Sequence, residues 1–148
     1  MAGGSVSEDI ARAYEWLQKF HIKADALDPR PWMSFFTPDA TLNYANSPTL
    51  TGHEEIIAAM EQSMSGLRSM KHEIGHVDVT PERIYQEAKI TYVIKADPTE
   101  EELVVKGFAV FHKGVEEERV RRFDVYGDFS EVYGRMAEVQ KGGEGGKE

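Results

Sequence analysis

The chain contains no cysteine among its 148 residues. This absence excludes disulfide bonds, thiolate metal sites and cysteine nucleophiles. No apolar run approaches the about 20 residues that a membrane-spanning helix requires. The first residues also lack the basic and apolar regions of a signal peptide. These absences predict a cytoplasmic protein that does not associate with a membrane.

Basic residues are outnumbered by acidic residues. The 17 Lys and Arg residues against 26 Asp and Glu residues give a formal net charge of −9. Such a surface repels phosphate groups, so we expect no binding of nucleic acid. The sequence has neither a glycine-rich phosphate loop nor a nucleophile motif. We therefore predict a protein that uses no cofactor and no metal.

The first half of the chain has helical periodicity. Apolar residues recur at helical spacing over residues 7–24, and Ser5 and Glu8 have the spacing of a capping box. A short helix carrying Trp32, a strand over residues 40–46 and a second long helix starting near Gly52 follow. Helices therefore dominate before residue 71.

The periodicity changes from helical to alternating at residue 71. Alternation predicts strands over residues 72–79, 83–95, 103–113 and 118–126, and a short helical piece follows over 130–136. Helices followed by a run of strands indicate the α+β class. We expect a curved antiparallel sheet wrapped around helices, forming a cone with one pocket. The predicted domain is 1–137, and the Gly-rich charged segment 138–148 is a predicted disordered tail.

The outer face of such a sheet is the basis of a further prediction. Three helices on the concave side cannot cover the apolar positions on the convex side. We therefore expect a homodimer that forms through the outer face of the sheet.

Three segments carry a resemblance to a known family. Residues 36–44, Gly52 with residues 55–56, and residues 122–129 resemble corresponding segments of the nuclear transport factor 2-like superfamily, and within it the SnoaL-like enzymes. The resemblance covers roughly residues 7–136. It implies a cone-shaped fold that encloses a small-molecule pocket.

Scytalone dehydratases are one group of similar enzymes within this superfamily. The resemblance implies that Asp25, Tyr44 and His72 stand at the positions of their pocket Asp, Tyr and His. Two positions depart from that pattern. Ala24 stands where those enzymes have a Tyr, and Val93 lies near the place of their second His.

Limonene epoxide hydrolases are the other similar group. The resemblance matches Tyr44 and Asn46 to their Tyr-x-Asn on the first strand, and Asp124 to the Asp on their last strand. Their Arg-x-Asp would fall near residues 89–91, which contain no acid. The chain thus contains neither complete set of catalytic residues, and both dehydration and epoxide opening remain open as the predicted reaction.

Strand geometry sorts these candidates by face. Tyr44 and Asn46 are two residues apart, so one face would present a phenol and an amide that hold or polarise an oxygen. The alternative is that Asn46 forms a turn before Pro48. Asp25 is either an acid at the pocket mouth or an ordinary turn residue. We expect Trp32 mainly to fill the core and, in addition, to line a ligand-binding wall.

Two histidines fall on one face of the next predicted strand. His72 and His76 would share this face, where a neutral imidazole can act as an acid or a base. A metal site is an alternative, but i and i+4 positions on a strand lie about 13 Å apart, too far to share one ion easily. We therefore predict substrate contacts and no metal.

Asp124 has two interpretations of equal weight. It shares a face with Arg122 and Tyr126, and in a cavity burial would raise its pKa and suit it to act as a base. Alternatively, Asp124 and Arg122 form an ion pair that only stabilises the sheet.

These residues predict an enzyme that acts by general acid–base chemistry on an apolar, oxygenated small molecule such as a polyketide or terpenoid intermediate. Isomerisation, cyclisation, dehydration and epoxide opening all fit. We expect Tyr44 to polarise an oxygen, Asp124 or His72 to act as base, and Asn46 to position the ligand. A non-catalytic ligand carrier and a dimeric adaptor protein of the same fold are the alternatives.

Overall fold

The computed structural model describes residues 5–145. Four helices, a 3-10 turn at Met33–Phe35 and six strands follow one another along the chain. The helices are α1 (Val6–Asp25), α2 (Pro29–Trp32), α3 (His53–Met64) and α4 (Ser130–Gly145). The strands are β1 (Phe36–Tyr44), β2 (Leu50–Thr51), β3 (Leu67–Thr80), β4 (Arg83–Ile94), β5 (Glu102–His112) and β6 (Val120–Tyr126). None of the helices within residues 5–145 is long and apolar enough to span a bilayer.

The strands form one mixed sheet in the order β2-β1-β6-β5-β4-β3. The four long strands predicted from alternation, β3 to β6, pair antiparallel with one another, as expected. β1, for which the sequence predicts no partner strand, runs parallel to β6, so the sheet as a whole is mixed. Alternation along a strand carries no information about the direction of its neighbour. The α+β class and the cone-shaped arrangement are confirmed.

The helix α1 covers the inner face of the sheet with one apolar stripe. Ser5 caps the helix by accepting a hydrogen bond from the Glu8 N–H at 3.3 Å, as its spacing predicts. The buried Phe20 ring lies 5.1–5.7 Å from four other aromatic rings, at the distances of favourable ring–ring contacts. These rings belong to Trp32, Phe36, Phe111 and Phe123. One end of the core is therefore filled with aromatic rings.

A bulge in β3 changes which side chains face the helices. Ile74 lies opposite Ala88 and Val77 lies opposite Gln86, so the two β3 residues between them, 75 and 76, face the single β4 residue 87. The extra residue reverses the alternation beyond Ile74. His72 therefore faces inward, whereas His76 is exposed. The prediction that the two histidines share one face is wrong for this reason.

The last helix extends into the predicted tail. Residues 136–141 are mostly good helix formers, and α4 continues through Gly145. Residues 138–145 are thus helical where the sequence predicts disorder, and residues 146–148 lie outside the described part. Arg135 holds α4 to the β4–β5 connection by donating from Nε and Nη2 to the buried Asp97 carboxylate at 3.0 and 3.1 Å.

The outer face of the sheet carries a row of exposed apolar side chains. Val104, Phe108 and Tyr126 are 46%, 39% and 55% exposed, and Phe108 lies directly opposite Tyr126 across the β5–β6 ladder. Tyr85 packs beside Phe108 with ring centroids 6.3 Å apart. These four residues form the patch on which the predicted dimer depends.

The homodimer stays a prediction that sedimentation velocity can test. We expect the wild-type chain to sediment as a dimer at high micromolar concentration. Phe108→Glu should shift it to a monomer, because a buried unpaired charge is costly at an apolar interface. Ile22→Glu, at an exposed apolar position on α1, is the matched control and should remain dimeric. A monomeric wild-type chain would contradict the prediction.

Candidate functional site

A cavity of about 90 Å³ lies between the inner face of the sheet and helices α1, α3 and α4. A single buried water requires only about 10–15 Å³, so this space can take a larger guest. Most of the wall is apolar. It includes Met60, Met64, Met70 and Met136, whose flexible side chains can adapt to a ligand's shape. The polar members of the wall are His21, Tyr44, Ser63, His72, Gln86, Tyr92 and Tyr133.

The clearest polar contact at this cavity joins Asp25 to His72. Asp25 is the last residue of α1, and its Oδ1 atom lies 2.6 Å from Nδ1 of His72. The backbone N–H of His72 donates to the other carboxylate oxygen at 2.9 Å. A carboxylate can only accept, so Nδ1 carries a proton, and in the neutral form of the ring Nε2 bears the lone pair. Nε2 has no protein partner among the described residues.

Two tyrosine hydroxyls form the second polar contact. The hydroxyl groups of Tyr44 on β1 and Tyr92 on β4 lie 3.3 Å apart. Burial, and then the neighbouring Tyr92, raise the pKa of Tyr44 well above its usual value. Burial raises the pKa of Tyr92 to about 12. Both phenols are therefore protonated at neutral pH. Only one of the two hydroxyl protons takes part in the hydrogen bond between them, and the other is available to a ligand.

A second imidazole lies against His72. The His21 and His72 rings are stacked with centroids 4.4 Å apart and planes 17° apart. His21 is only 5% exposed, and its Nε2–H donates to Oε1 of the buried Gln86 at 2.8 Å. Burial, and then the charge on His72 when protonated, lower the pKa of His21 to about 3. His21 is thus neutral at neutral pH.

Asp124 lies on the outer face of the sheet and not in the cavity. Its β6 neighbours Phe123 and Val125 face the cavity instead. The buried Asp124 carboxylate accepts hydrogen bonds from Asn43, His112 and Arg122 at 2.7–3.1 Å. The predicted position of this residue in the cavity wall is therefore wrong.

The hydrogen bonds to Asp124 also reverse its expected pKa shift. Burial alone would raise the pKa of Asp124. The hydrogen bonds from Asn43, Arg122 and His112 outweigh burial and lower the pKa below its usual value. The geometry matches the alternative interpretation, in which Asp124 is a structural partner of Arg122.

The other predicted site residues divide between the cavity and the surface. Trp32 is buried and lines the cavity, as predicted. Arg122 and Tyr126 lie with Asp124 on the outer face, so neither contacts the cavity. Asn46 is exposed, because Ala45 takes a left-handed φ of 49° and a turn ends the strand at Tyr44. The predicted pairing of Asn46 with Tyr44 in the pocket is wrong.

Sequence reasoning missed several members of the site. Tyr92 and Gln86 are the polar members of an otherwise apolar alternation along β4, in which residues 84, 86, 88, 90, 92 and 94 face inward. A polar residue at an inward position of a strand was the signal that could have identified them. Tyr133 lies within the helical piece predicted over residues 130–136, but the local sequence does not indicate that this helix packs over the cavity.

The described residues offer no metal centre. Within residues 5–145, no group of three or more His, Asp or Glu side chains is placed to hold a metal ion. The bulge in β3 separates His72 from His76. That the protein functions without a metal or cofactor stays a prediction.

Comparison with known proteins identifies the family. Residues 16–123 match the model of the SnoaL-like domain. This match covers most of the chain, and the chain therefore belongs to the SnoaL-like domain family. A comparison with curated proteins found no match.

Several solved structures have the same fold. A candidate SnoaL-like polyketide cyclase from Jannaschia sp. CCS1 is 15% identical with a TM-score of 0.71, covering 88% of this chain and 95% of that one. A protein with a ketosteroid isomerase-like fold from Catenulispora acidiphila DSM 44928 is 18% identical with a TM-score of 0.66, covering 76% and 84%. The epoxide hydrolase/cyclase-like enzyme SalBIII, which takes part in pyran ring formation in salinomycin, is 14% identical with a TM-score of 0.66, covering 79% and 91%.

Asp124→Asn tests the structural role of this residue. We expect a loss of about 2 kcal/mol in unfolding free energy, or roughly 4–8 °C in Tm, because Arg122 and His112 lose their buried anion. The lowered pKa in the folded state stabilises the fold above the unfolded-state value of about 3.9. This contribution disappears as the pH falls through the lower folded-state pKa.

Thermal melts at neutral and acidic pH measure this effect. The difference between wild type and Asp124→Asn should shrink toward zero at low pH. A variant that melts like the wild type at pH 7 would contradict the structural role.

Proposed function

We propose that this chain is a cofactor-independent enzyme that moves a proton on a neutral, oxygenated small molecule held in the cavity. The observation that supports this most directly is the 2.6 Å contact between Asp25 and His72, a residue in the wall of an apolar cavity that also contains the paired phenol groups of Tyr44 and Tyr92. Isomerisation, dehydration and cyclisation are the reactions that such a site would support.

His72 is the base in this proposal. With Nδ1–H donated to Asp25, Nε2 is the atom that accepts a proton from a ligand in the cavity. Asp25 fixes the tautomer and orientation of the ring and stabilises the imidazolium that forms, as the carboxylate does in an Asp–His pair of a hydrolase. The proton on Nε2 then returns to a different atom of the ligand or to a departing hydroxyl group.

Tyr44 and Tyr92 are the oxygen-binding groups. Because one of the two phenol protons is free, the pair can donate a hydrogen bond to a ligand carbonyl. That bond strengthens as negative charge develops on the oxygen when the adjacent C–H bond loses its proton. The raised pKa of both phenols keeps them as hydrogen-bond donors at neutral pH.

The charge of the cavity favours a neutral ligand. The wall residues include no Lys or Arg among those described, and Asp25 adds a negative charge behind His72. A carboxylate or phosphate group would lose its hydration in the cavity without gaining a cation. The apolar wall instead favours a carbon skeleton with a ketone, ester or hydroxyl group.

Hydrogen–deuterium exchange of a ketone tests the proposal without knowledge of the natural substrate. The α-protons of cyclohexanone and 1-tetralone are followed by NMR in D₂O with and without protein. We expect the wild type to accelerate exchange. His72→Gln should lower the acceleration by at least about 100-fold, and Tyr44→Phe should lower it by about 10-fold or more.

Two control variants make this experiment specific. His76→Gln removes an exposed histidine outside the cavity and should leave exchange unchanged. Asp124→Asn should also leave exchange unchanged, at a temperature below its melting point. A wild-type chain that binds the ketones without accelerating exchange would contradict catalysis and favour the ligand-carrier alternative.

A further inference from the structure

His21 is a buried, titratable residue of the cavity wall that the proposed chemistry does not use. It precedes Asp25 by four residues on α1, so the two side chains project from successive turns of the same helix face. Both contact the His72 ring. Asp25 binds the edge of the ring at Nδ1, and His21 covers one of its faces.

The position of the His21 ring is itself fixed. Its Nε2–H donates to Oε1 of Gln86, a buried inward-facing residue of β4. Its Nδ1 atom is buried and has no hydrogen-bond partner among the described residues. The Phe20 and Phe111 rings meet the His21 ring edge to face at 5.3 and 6.4 Å. The His21 ring thus forms a rigid surface against which another ring can lie.

The charged and titratable groups around His21 favour its neutral form. His72 faces it from β3, Asp25 lies one turn along α1, and Gln86 contributes an uncharged amide from β4. Burial and the charge on His72 lower the pKa of His21 to about 3, although Gln86 and Asp25 act in the opposite direction. His21 therefore stays neutral beside the His72 ring at neutral pH.

We propose that His21 is a positioning residue for His72. Its anchored ring fixes the plane of the His72 ring, so that Nδ1 stays on Asp25 while Nε2 faces the cavity. The contact with Asp25 fixes only one edge of the His72 ring, so the ring could still tilt about that hydrogen bond. Stacking against the His21 ring prevents this tilting. The functional part of this inference rests on the proposed role of His72 as base.

NMR of ¹⁵N-histidine-labelled protein tests the geometry directly. A proton held between His72 Nδ1 and Asp25 gives a resonance far downfield of the amide region, and Asp25→Asn should abolish it. His21→Phe keeps a planar ring, whereas His21→Leu keeps apolar volume without one. Both variants lose the hydrogen bond to Gln86 equally, so they form a matched pair.

The two variants should behave differently. We expect His21→Phe to retain the downfield resonance and a single tautomer for His72. His21→Leu should lose the resonance or broaden it by ring motion. Retention in both variants would show that His21 only fills space, and loss in both would show that the Gln86 contact matters rather than stacking. Either result overturns the proposal.

A third variant covers the case in which His21→Leu does not fold. His21→Asn keeps an amide donor for Gln86 but has no ring, and it should also lose the resonance. Retention of the resonance in His21→Asn would overturn the proposal as well.

Ketone exchange separates this inference from the proposed function. His21→Leu should slow exchange by about 10-fold or more, and His21→Phe should remain within about 3-fold of wild type. The NMR signals report the geometry of His72 whether or not it acts as a base. Wild-type protein without exchange activity would therefore refute the proposed function alone, and an unchanged downfield resonance in His21→Leu would refute the positioning role alone.

Discussion

The contact between Asp25 and His72 is the interaction on which the rest of the site depends. It joins the last residue of α1 to the middle of β3, and the carboxylate binds both the ring and the backbone of the same histidine. One side chain therefore fixes where the helix ends against the sheet and how the imidazole is oriented. Without this contact, His72 would be a half-buried histidine with no defined proton acceptor.

The shape of the sheet decides which polar groups join this pair. Inward positions on β1 and β4 bring Tyr44 and Tyr92 together, although they are 48 residues apart in sequence. The same alternation places Asp124 outside, where it connects β1, β5 and β6 through hydrogen bonds. Two networks of charged and polar groups thus occupy opposite faces of one sheet, one suited to chemistry and the other to stability.

Much of the fold could be predicted from periodicity, because helical and alternating patterns depend on local side-chain order. The long helix α1 and the four long strands lie close to their predicted ranges. The parallel pairing of β1 with β6 and the bulge in β3 depend on contacts between distant segments. The resemblance to known enzymes pointed to Tyr44 and His72, which line the cavity, and to Asp25, which does not line it but binds His72. Alternation alone could not tell that Asp124 faces outward. The predicted face of His76 is wrong because of a single bulge in β3.

In the proposed mechanism, the ligand oxygen lies against the two phenols while the carbon that loses a proton lies against His72. A crystal structure with 1-tetralone bound tests this arrangement. We expect the ketone oxygen within about 3 Å of the Tyr44 or Tyr92 hydroxyl and the α-carbon about 3–3.5 Å from Nε2 of His72. A ketone bound outside the cavity, or bound inside it with its oxygen turned away from both phenols, would contradict the account.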